Sequence, residues 1–178
     1  MRVIAGQARG LKLVPPPGDR VRPTLDRVRE ALFSIIGPVL PDASFLDLYA
    51  GSGANGIEAL SRGAASAVFV DSYTQSQICI RKNLEATRLE SRAKVLHYGL
   101  PENLRKIGGS YDIIFADPPY AQGNYAGLLT AISEARLLAD GGQVIVEHTS
   151  KETLPDGAGG LSCQRRKRYG KTTLSFYA

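Results

Sequence analysis

LDLYAGSGANGIEAL, residues 46–60, sets Gly51-x-Gly53-x-x-Gly56 between an apolar run and an amphipathic one. The run that enters it, SFLDLYA (44–50), reads as a strand, and NGIEALSRG (55–63) reads as a helix ended by Gly63. The same alternation continues down the chain. SAVFVD (66–71) is a strand, and TQSQICIRKNLEATR (74–88) has helical spacing of Ile78, Ile80 and Leu84. AKVLHY (93–98) is a third strand, followed by a short helix near 102–107 and a fourth strand, YDIIFAD (111–117). Residues 125–138 predict a helix rich in Leu and Ala, and GGQVIVEHT (141–149) a fifth strand. Strands and helices in strict alternation predict an α/β fold with a parallel sheet covered on both faces.

Both ends of the chain depart from this pattern. LSCQRRKRYGKTTLSFYA (161–178) has two short runs around Tyr169-Gly170-Lys171 and reads as an antiparallel terminal hairpin. RVIAGQARGLKLVPP (2–16) reads as a small hairpin turning near Ala8-Arg9-Gly10. RPTLDRVREALFSIIG (22–37) predicts a helix opening after Pro23, with Thr24 as N-cap and Leu25, Val28, Leu32, Ile35 and Ile36 on its apolar face. We expect a single domain over 1–178, with residues 1–40 as an N-terminal extension.

Length and composition agree with one globular core: 178 residues, 43% hydrophobic and 22% charged. No apolar run approaches the roughly 20 residues that span a membrane. Cys79 and Cys163 stand 84 positions apart, and His97 and His148 are isolated, so no metal-ligand spacing is present. A reduced, cytoplasmic protein without a metal is expected. The net charge of +5 is uneven. Residues 1–36 carry seven Lys/Arg against three acids, residues 37–160 ten against fourteen, and residues 161–178 five against none. If the two basic ends meet in space, they form one positive face suited to a polyanion.

The glycine loop by itself fits a dinucleotide or another adenosine ligand. Asp71 ends the second strand, 20 residues after Gly51, where a carboxylate can accept both ribose hydroxyls. Asp47, in the strand before the loop, opposes a pyrophosphate and suits a cation. S-adenosylmethionine carries a sulfonium and an ammonium and no phosphate. Asp47 also has a plainer reading, as an acid that satisfies the loop's own N–H groups.

The fourth strand ends in Asp117-Pro118-Pro119-Tyr120. Proline ends a strand well, but that explains neither the acid nor the ring. In a parallel sheet, ligands sit beyond the carboxyl ends of the strands. An Asp carboxylate and a backbone carbonyl at that place can each accept one N–H of a nucleobase amine, and Pro118 offers its carbonyl with no competing N–H. Tyr120 supplies a face for base stacking.

With these motifs in place, the chain resembles the RsmD family of class I methyltransferases, which modify a guanine N2 of bacterial 16S ribosomal RNA. The likeness runs nearly end to end, through RVIAGQARGLKL, RPTLDRVREALFSII, LDLYAGSGANGIEALSRGAA, ADPPY and RYGKTTLSFY. It implies a Rossmann-like, mostly parallel seven-stranded sheet with a C-terminal antiparallel hairpin and the N-terminal hairpin and helix. It implies S-adenosyl-L-methionine at Asp47, Tyr49, Gly51, Ser52, Gly53, Asn55, Asp71 and Ser72, and catalysis at Asp117, Pro118, Pro119 and Tyr120. RNA is expected at Arg9, Lys12, Arg22, Pro23, Thr24, Arg27, Arg168 and Tyr169. The partner implied is 16S rRNA within a 30S subunit or assembly intermediate, with the enzyme as a monomer. Asn55 stands where the family more often has Leu, Ser34 where Asn is common, and Gly99-Leu100 where Asp or Asn lies near the adenine amino group. The Asp-Pro-Pro-Tyr element is shared with DNA adenine methyltransferases, so a DNA adenine-N6 methyltransferase is the alternative. A nicotinamide-dependent oxidoreductase and a non-catalytic RNA-binding module are weaker readings of the glycine loop and the basic ends respectively.

Overall fold

Two apolar strands, β1 (Ser44–Leu48) and β4 (Tyr111–Ala116), lie side by side at the centre of the sheet although 62 residues separate Leu48 from Tyr111. The computed structural model describes residues 1–17, 26–119 and 123–178. Helix α1 (Asp26–Ile36) precedes β1, and α2 (Ala54–Ser61), β2 (Ser66–Asp71), α3 (Thr74–Thr87) and β3 (Ala93–His97) follow it. After β4 come α4 (Tyr125–Glu134), β5 (Leu138–Thr149), β6 (Gly157–Ala158), β7 (Leu161–Tyr169) and β8 (Thr172–Tyr177). The order across the sheet is β3-β2-β1-β4-β5-β8-β7-β6. The first five strands are parallel, and the last three join antiparallel. All seven expected strands are present, and the two-residue β6 adds an eighth at the edge. Among the described residues no helix is long and apolar enough to cross a membrane.

The sheet is buried on both faces, which is why its central strands are continuous apolar runs instead of alternating ones. On one face, Phe45, Ile113, Phe115, Ile145, Leu174 and Phe176 pack with Leu32, Phe33 and Ile36 of α1, Ile57 and Leu60 of α2, and Ile80 and Leu84 of α3. On the other, Leu46, Ile114, Val144 and Tyr177 pack with Leu128, Leu129 and Ile132 of α4.

Three boundaries differ from expectation, each for a local reason. The predicted helix over 125–138 stops at Glu134, because Arg136 takes a left-handed conformation (φ 53°) and Leu137 turns into the core. The fifth strand therefore begins at Leu138, earlier than 141, with a register shift against β4 between Tyr111 and Ile113. The short helix near 102–107 is a 3-10 turn, Leu104–Lys106. Helix α1 is described from Asp26, so the Thr24 cap and Leu25 lie outside the described residues. Its buried stripe is Val28, Arg29, Leu32, Phe33 and Ile36, with Ile35 half-buried. Phe33 and Arg29 thus occupy places that the sequence pattern had not assigned.

The N-terminal arm is a loose hairpin with one antiparallel bridge, Arg2 to Lys12, and left-handed Gly6 and Gly10 in its turn. What fixes it is a buried carboxylate. Glu58 of α2 is fully buried and accepts the N–H groups of Ile4 at 2.7 Å and Ala5 at 3.0 Å. Arg62 bonds it at 2.7 Å, and the buried Arg29 guanidinium lies 4.0 Å away. Arg29 in turn donates to the Arg2 carbonyl and to Asp26 at 2.9 Å. Burial pushes the Arg29 pKa below its ordinary value, and Asp26 and Glu58 oppose that shift. Ser61 adds three grips on the arm, its hydroxyl accepting from Ala8 N–H at 3.0 Å and donating to the Ala5 carbonyl at 2.6 Å, and its carbonyl accepting from Gln7 N–H at 2.9 Å.

Two consequences are measurable. Removing one partner from a buried ion group leaves an uncompensated charge, at a cost of about 3–5 kcal/mol. Glu58→Ala should lose stability on that scale in urea titration, and Glu58→Gln, which keeps an acceptor for the arm, should lose less; equal stability of Glu58→Ala and the parent would refute this role. Gly56 packs its α-carbon against β2, so an added Cβ would come within 2.3 Å of the Phe69 ring. Gly56→Ala should cost about 1–3 kcal/mol by overpacking, and an unchanged thermal midpoint would show that the helix can back away freely.

Candidate active site

The carboxyl ends of β1, β2 and β4 open on the same edge of the sheet, and each delivers an acid there. β1 runs into a turn in which Tyr49 (φ 59°), Gly51 (φ 55°) and Gly53 (φ 76°) all adopt left-handed backbone. Glycine accepts this geometry, but Tyr49 is a bulky residue for which it is strained, a condition typical of functional sites. Gly53 caps the start of α2, and its N–H closes the turn on the Ala50 carbonyl at 2.7 Å.

Three side chains hold this loop in shape. Asp71, at the end of β2, accepts the Gly51 N–H at 2.8 Å through one oxygen and the Tyr73 N–H at 2.8 Å through the other. Asp47 is buried and accepts the Gly56 N–H at 2.9 Å. Asn83 of α3 donates to the Ser52 carbonyl at 2.9 Å. Asp47 thus performs the plainer of its two expected tasks, satisfying the loop, whatever else it does. Burial pushes its carboxyl well above the usual range, and the charges of Asp71 and Asp117 add to that shift. Asn55, in the first turn of α2, is buried, and among the described residues its Oδ1 has no hydrogen-bond partner.

Asp117 follows β4 immediately and is half-buried, Pro118 is buried, and Pro119 is exposed. Tyr120 lies outside the described residues. Pro118 lines a cavity of about 250 Å³ together with Tyr49, Pro101, Glu102, Asn124 and Tyr125. Tyr49 therefore faces the cavity next to Pro118 rather than standing only beside the glycine turn. Burial, then the nearby Glu102 charge, raises its phenol above the ordinary range. The cavity wall opposite the strands is built by α4, whose first turn is capped by Asn124 accepting the Gly127 N–H at 2.9 Å.

The remaining expected residues are spread more widely, and Arg9 follows Gln7 and Ala8, which bond Ser61 at the end of α2 away from the glycine loop. Ser72 is exposed, and its carbonyl accepts from His97 Nε2 at 2.8 Å. The Gly99 carbonyl accepts from Asn103 at 2.9 Å, and Leu100 is buried. Arg9 and Arg27 line a groove of about 360 Å³ between the arm and α1, with Arg2, Asp26 and Glu30. Lys12 is exposed on the arm. Arg168 is exposed and Tyr169 half-buried at the end of β7. Because Tyr169 pairs with Thr172, and Thr172 with Thr149 at the carboxyl end of β5, the β7–β8 turn stands at the ligand end of the sheet. Arg22, Pro23 and Thr24 lie outside the described residues. Sequence reasoning missed Asn83, Glu58 and the cavity residues Glu102, Asn124 and Tyr125. Of these only Asn124, just ahead of an apolar helix, carried a local signal, that of an N-cap.

Comparison with known proteins agrees with this arrangement. The family described as "Conserved hypothetical protein 95" matches residues 1–178. Ribosomal RNA small subunit methyltransferase D of Escherichia coli K12 is 37% identical over 177 residues, covering 99% of this chain and 89% of the relative. YlbH of Bacillus subtilis is 37% identical over 180 residues, covering 99% and 98%. The solved structure of yhhF from Escherichia coli superimposes with a TM-score of 0.87 at 38% identity, covering 99% of this chain and 96% of that one. The chain belongs to this family, that of the ribosomal RNA small subunit methyltransferase D proteins, and has their class I methyltransferase fold.

Proposed function

We propose that this protein transfers a methyl group from S-adenosyl-L-methionine to the exocyclic N2 amine of a guanine in 16S ribosomal RNA, within a 30S subunit or its assembly intermediate, as a cytoplasmic monomer. The observation that carries the reading is the juxtaposition of Asp117-Pro118 with the glycine loop, through the direct pairing of β1 and β4. The relatives' rRNA methyltransferase activity supports the choice of substrate.

The residues present fit the cofactor. Asp71 holds a carboxyl against the Gly51 backbone, where an acid opposes a pyrophosphate and suits a sulfonium or ammonium. Asn55 Oδ1 is an acceptor suited to a cationic donor. Each Asp71 oxygen accepts one backbone N–H and keeps acceptor capacity for a ribose hydroxyl. Bound S-adenosylmethionine supplies an electrophilic methyl on a sulfonium.

The chain's own contribution is positioning. The lone pair of a guanine N2 amine is delocalised into the ring and is a poor nucleophile. Asp117 carboxylate and Pro118 carbonyl each accept one of its N–H groups and turn the nitrogen toward the methyl. With the cofactor bound, the nitrogen would gain the methyl as the S–C bond breaks, and Asp117 would take the proton that the nitrogen sheds. The cavity beside Pro118, walled by Tyr49 and Tyr125, receives the extruded base. Arg9, Lys12, Arg27, Arg168 and Tyr169 are the described residues assigned to RNA, the basic ones to its phosphates.

The test is transfer of labelled methyl from S-adenosylmethionine to undermethylated 30S particles, followed by nucleoside analysis. N2-methylguanosine in 16S RNA is the expected product; label in N6-methyladenine of duplex DNA instead, or no transfer by a correctly folded protein, overturns the proposal. Asp117→Ala should reduce kcat by about 10²–10⁴ with cofactor affinity nearly unchanged. Parallel loss of cofactor binding in calorimetry would mean that Asp117 serves the loop and not the amine.

A further inference from the structure

Asn83 joins two parts of the molecule that the proposed reaction uses separately. It is 1% exposed, and its amide is fully engaged. Oδ1 accepts the Val14 N–H at 2.8 Å and Nδ2 donates to the Val14 carbonyl at 2.9 Å, so the side chain pairs with the arm as a neighbouring strand would. The same Nδ2 donates to the Ser52 carbonyl in the glycine loop at 2.9 Å. The Val14 carbonyl also receives the Cys79 thiol from the same helix. Ser52 touches the arm a second time, its hydroxyl lying 3.8 Å from the Met1 sulfur.

The Val14 side chain itself is exposed, so between the buried Leu13 and Pro16 the backbone of Val14 is held by the amide. Elsewhere the arm is gripped by Glu58 and Ser61, both on the helix that the glycine loop opens, and by Arg29 and Arg92. A shift of the loop at Ser52 is therefore felt at Val14, and a pull on the arm is felt at Ser52.

We propose that Asn83 is a positioning residue that makes the N-terminal arm and the cofactor loop one cooperative unit, so that cofactor binding orders the arm and RNA binding tightens the cofactor. This rests on the function proposed above for the assignment of RNA to the arm's Arg9 and Lys12. Linkage requires the two effects to be equal in size.

Hydrogen exchange read by mass spectrometry tests the coupling without RNA. S-adenosylhomocysteine should slow exchange of the arm amides, residues 3–14, by about fivefold or more in the parent chain. In Asn83→Asp, which keeps the acceptor and loses both donations, that response should vanish, although the Gly51 and Gly56 amides remain protected on binding. A residue that serves stability alone would lower the melting temperature and leave the S-adenosylhomocysteine response of the arm intact, and that result overturns the proposal. If neither Asn83→Asp nor Asn83→Ala folds, the parent chain decides: no arm response to S-adenosylhomocysteine refutes the coupling. Affinity for undermethylated 30S particles, with and without S-adenosylhomocysteine, gives the second readout. Coupled arm protection in a protein that binds no RNA supports the cooperative unit and overturns the RNA reading; an RNA affinity indifferent to S-adenosylhomocysteine overturns the cooperative unit.

Discussion

The pairing of β1 with β4 is the constraint on which the rest of the molecule depends. The chain winds outward from β1 through β2 to β3, then crosses back to lay β4 on the other side of β1. At such a reversal the connections leave in opposite directions, and a crevice opens beyond the strand ends. Leu48 stands opposite Ala116, so the next residues of each strand, Tyr49 and Asp117, emerge as neighbours. No other adjacent pair of parallel strands here has this property, because β2 and β3 follow β1 in order and β5 follows β4. The glycine turn and the Asp-Pro-Pro element meet for topological reasons before any side chain is considered.

The N-terminal segment is attached to this centre by polar groups as much as by apolar ones. Val3, Ala8 and Leu13 do enter the core layer. The backbone of the arm, however, lacks a strand partner for most of its length, and its N–H groups need acceptors. Glu58, Ser61 and Asn83 supply them. Burying Glu58 would be costly if it stood alone, but four donors surround it: two arm amides, Arg62 and, at longer range, Arg29. The helix that begins at the cofactor loop thus carries on one side the glycine turn and on another the anchors of a basic arm. Through these anchors the described arm, residues 1–17, is tied to α2.

What could be read in the sequence was whatever depends on neighbours along the chain. The Gly51-x-Gly53-x-x-Gly56 spacing, the apolar strands and the proline stop after Asp117 all report local geometry, and the strands they mark, β1 and β4, do lie side by side. Asn83 and Glu58 escaped because each sits on a helix as an ordinary polar residue, and their partners are backbone groups 69 and 54 positions away, which have no sequence signature. Arg29 escaped because periodicity counts charged residues as outward facing, although the arginine stem is apolar and its head found the Arg2 carbonyl and Asp26. The end of α4 escaped because the left-handed residue that breaks it is Arg136, with no glycine to announce the turn.

Asp47 shows how the plainer of two readings takes shape in the fold. As a loop support it needs only an acceptor for the Gly56 N–H, and a neutral amide oxygen would serve. The carboxyl that β1 delivers is buried, and burial displaces its pKa upward, with the charges of Asp71 and Asp117 adding to the shift. Its bond to the Gly56 N–H ties the first turn of α2 back to the strand before it, across a turn whose Tyr49, Gly51 and Gly53 are all left-handed, so the turn keeps its shape through a side chain of the strand that enters it.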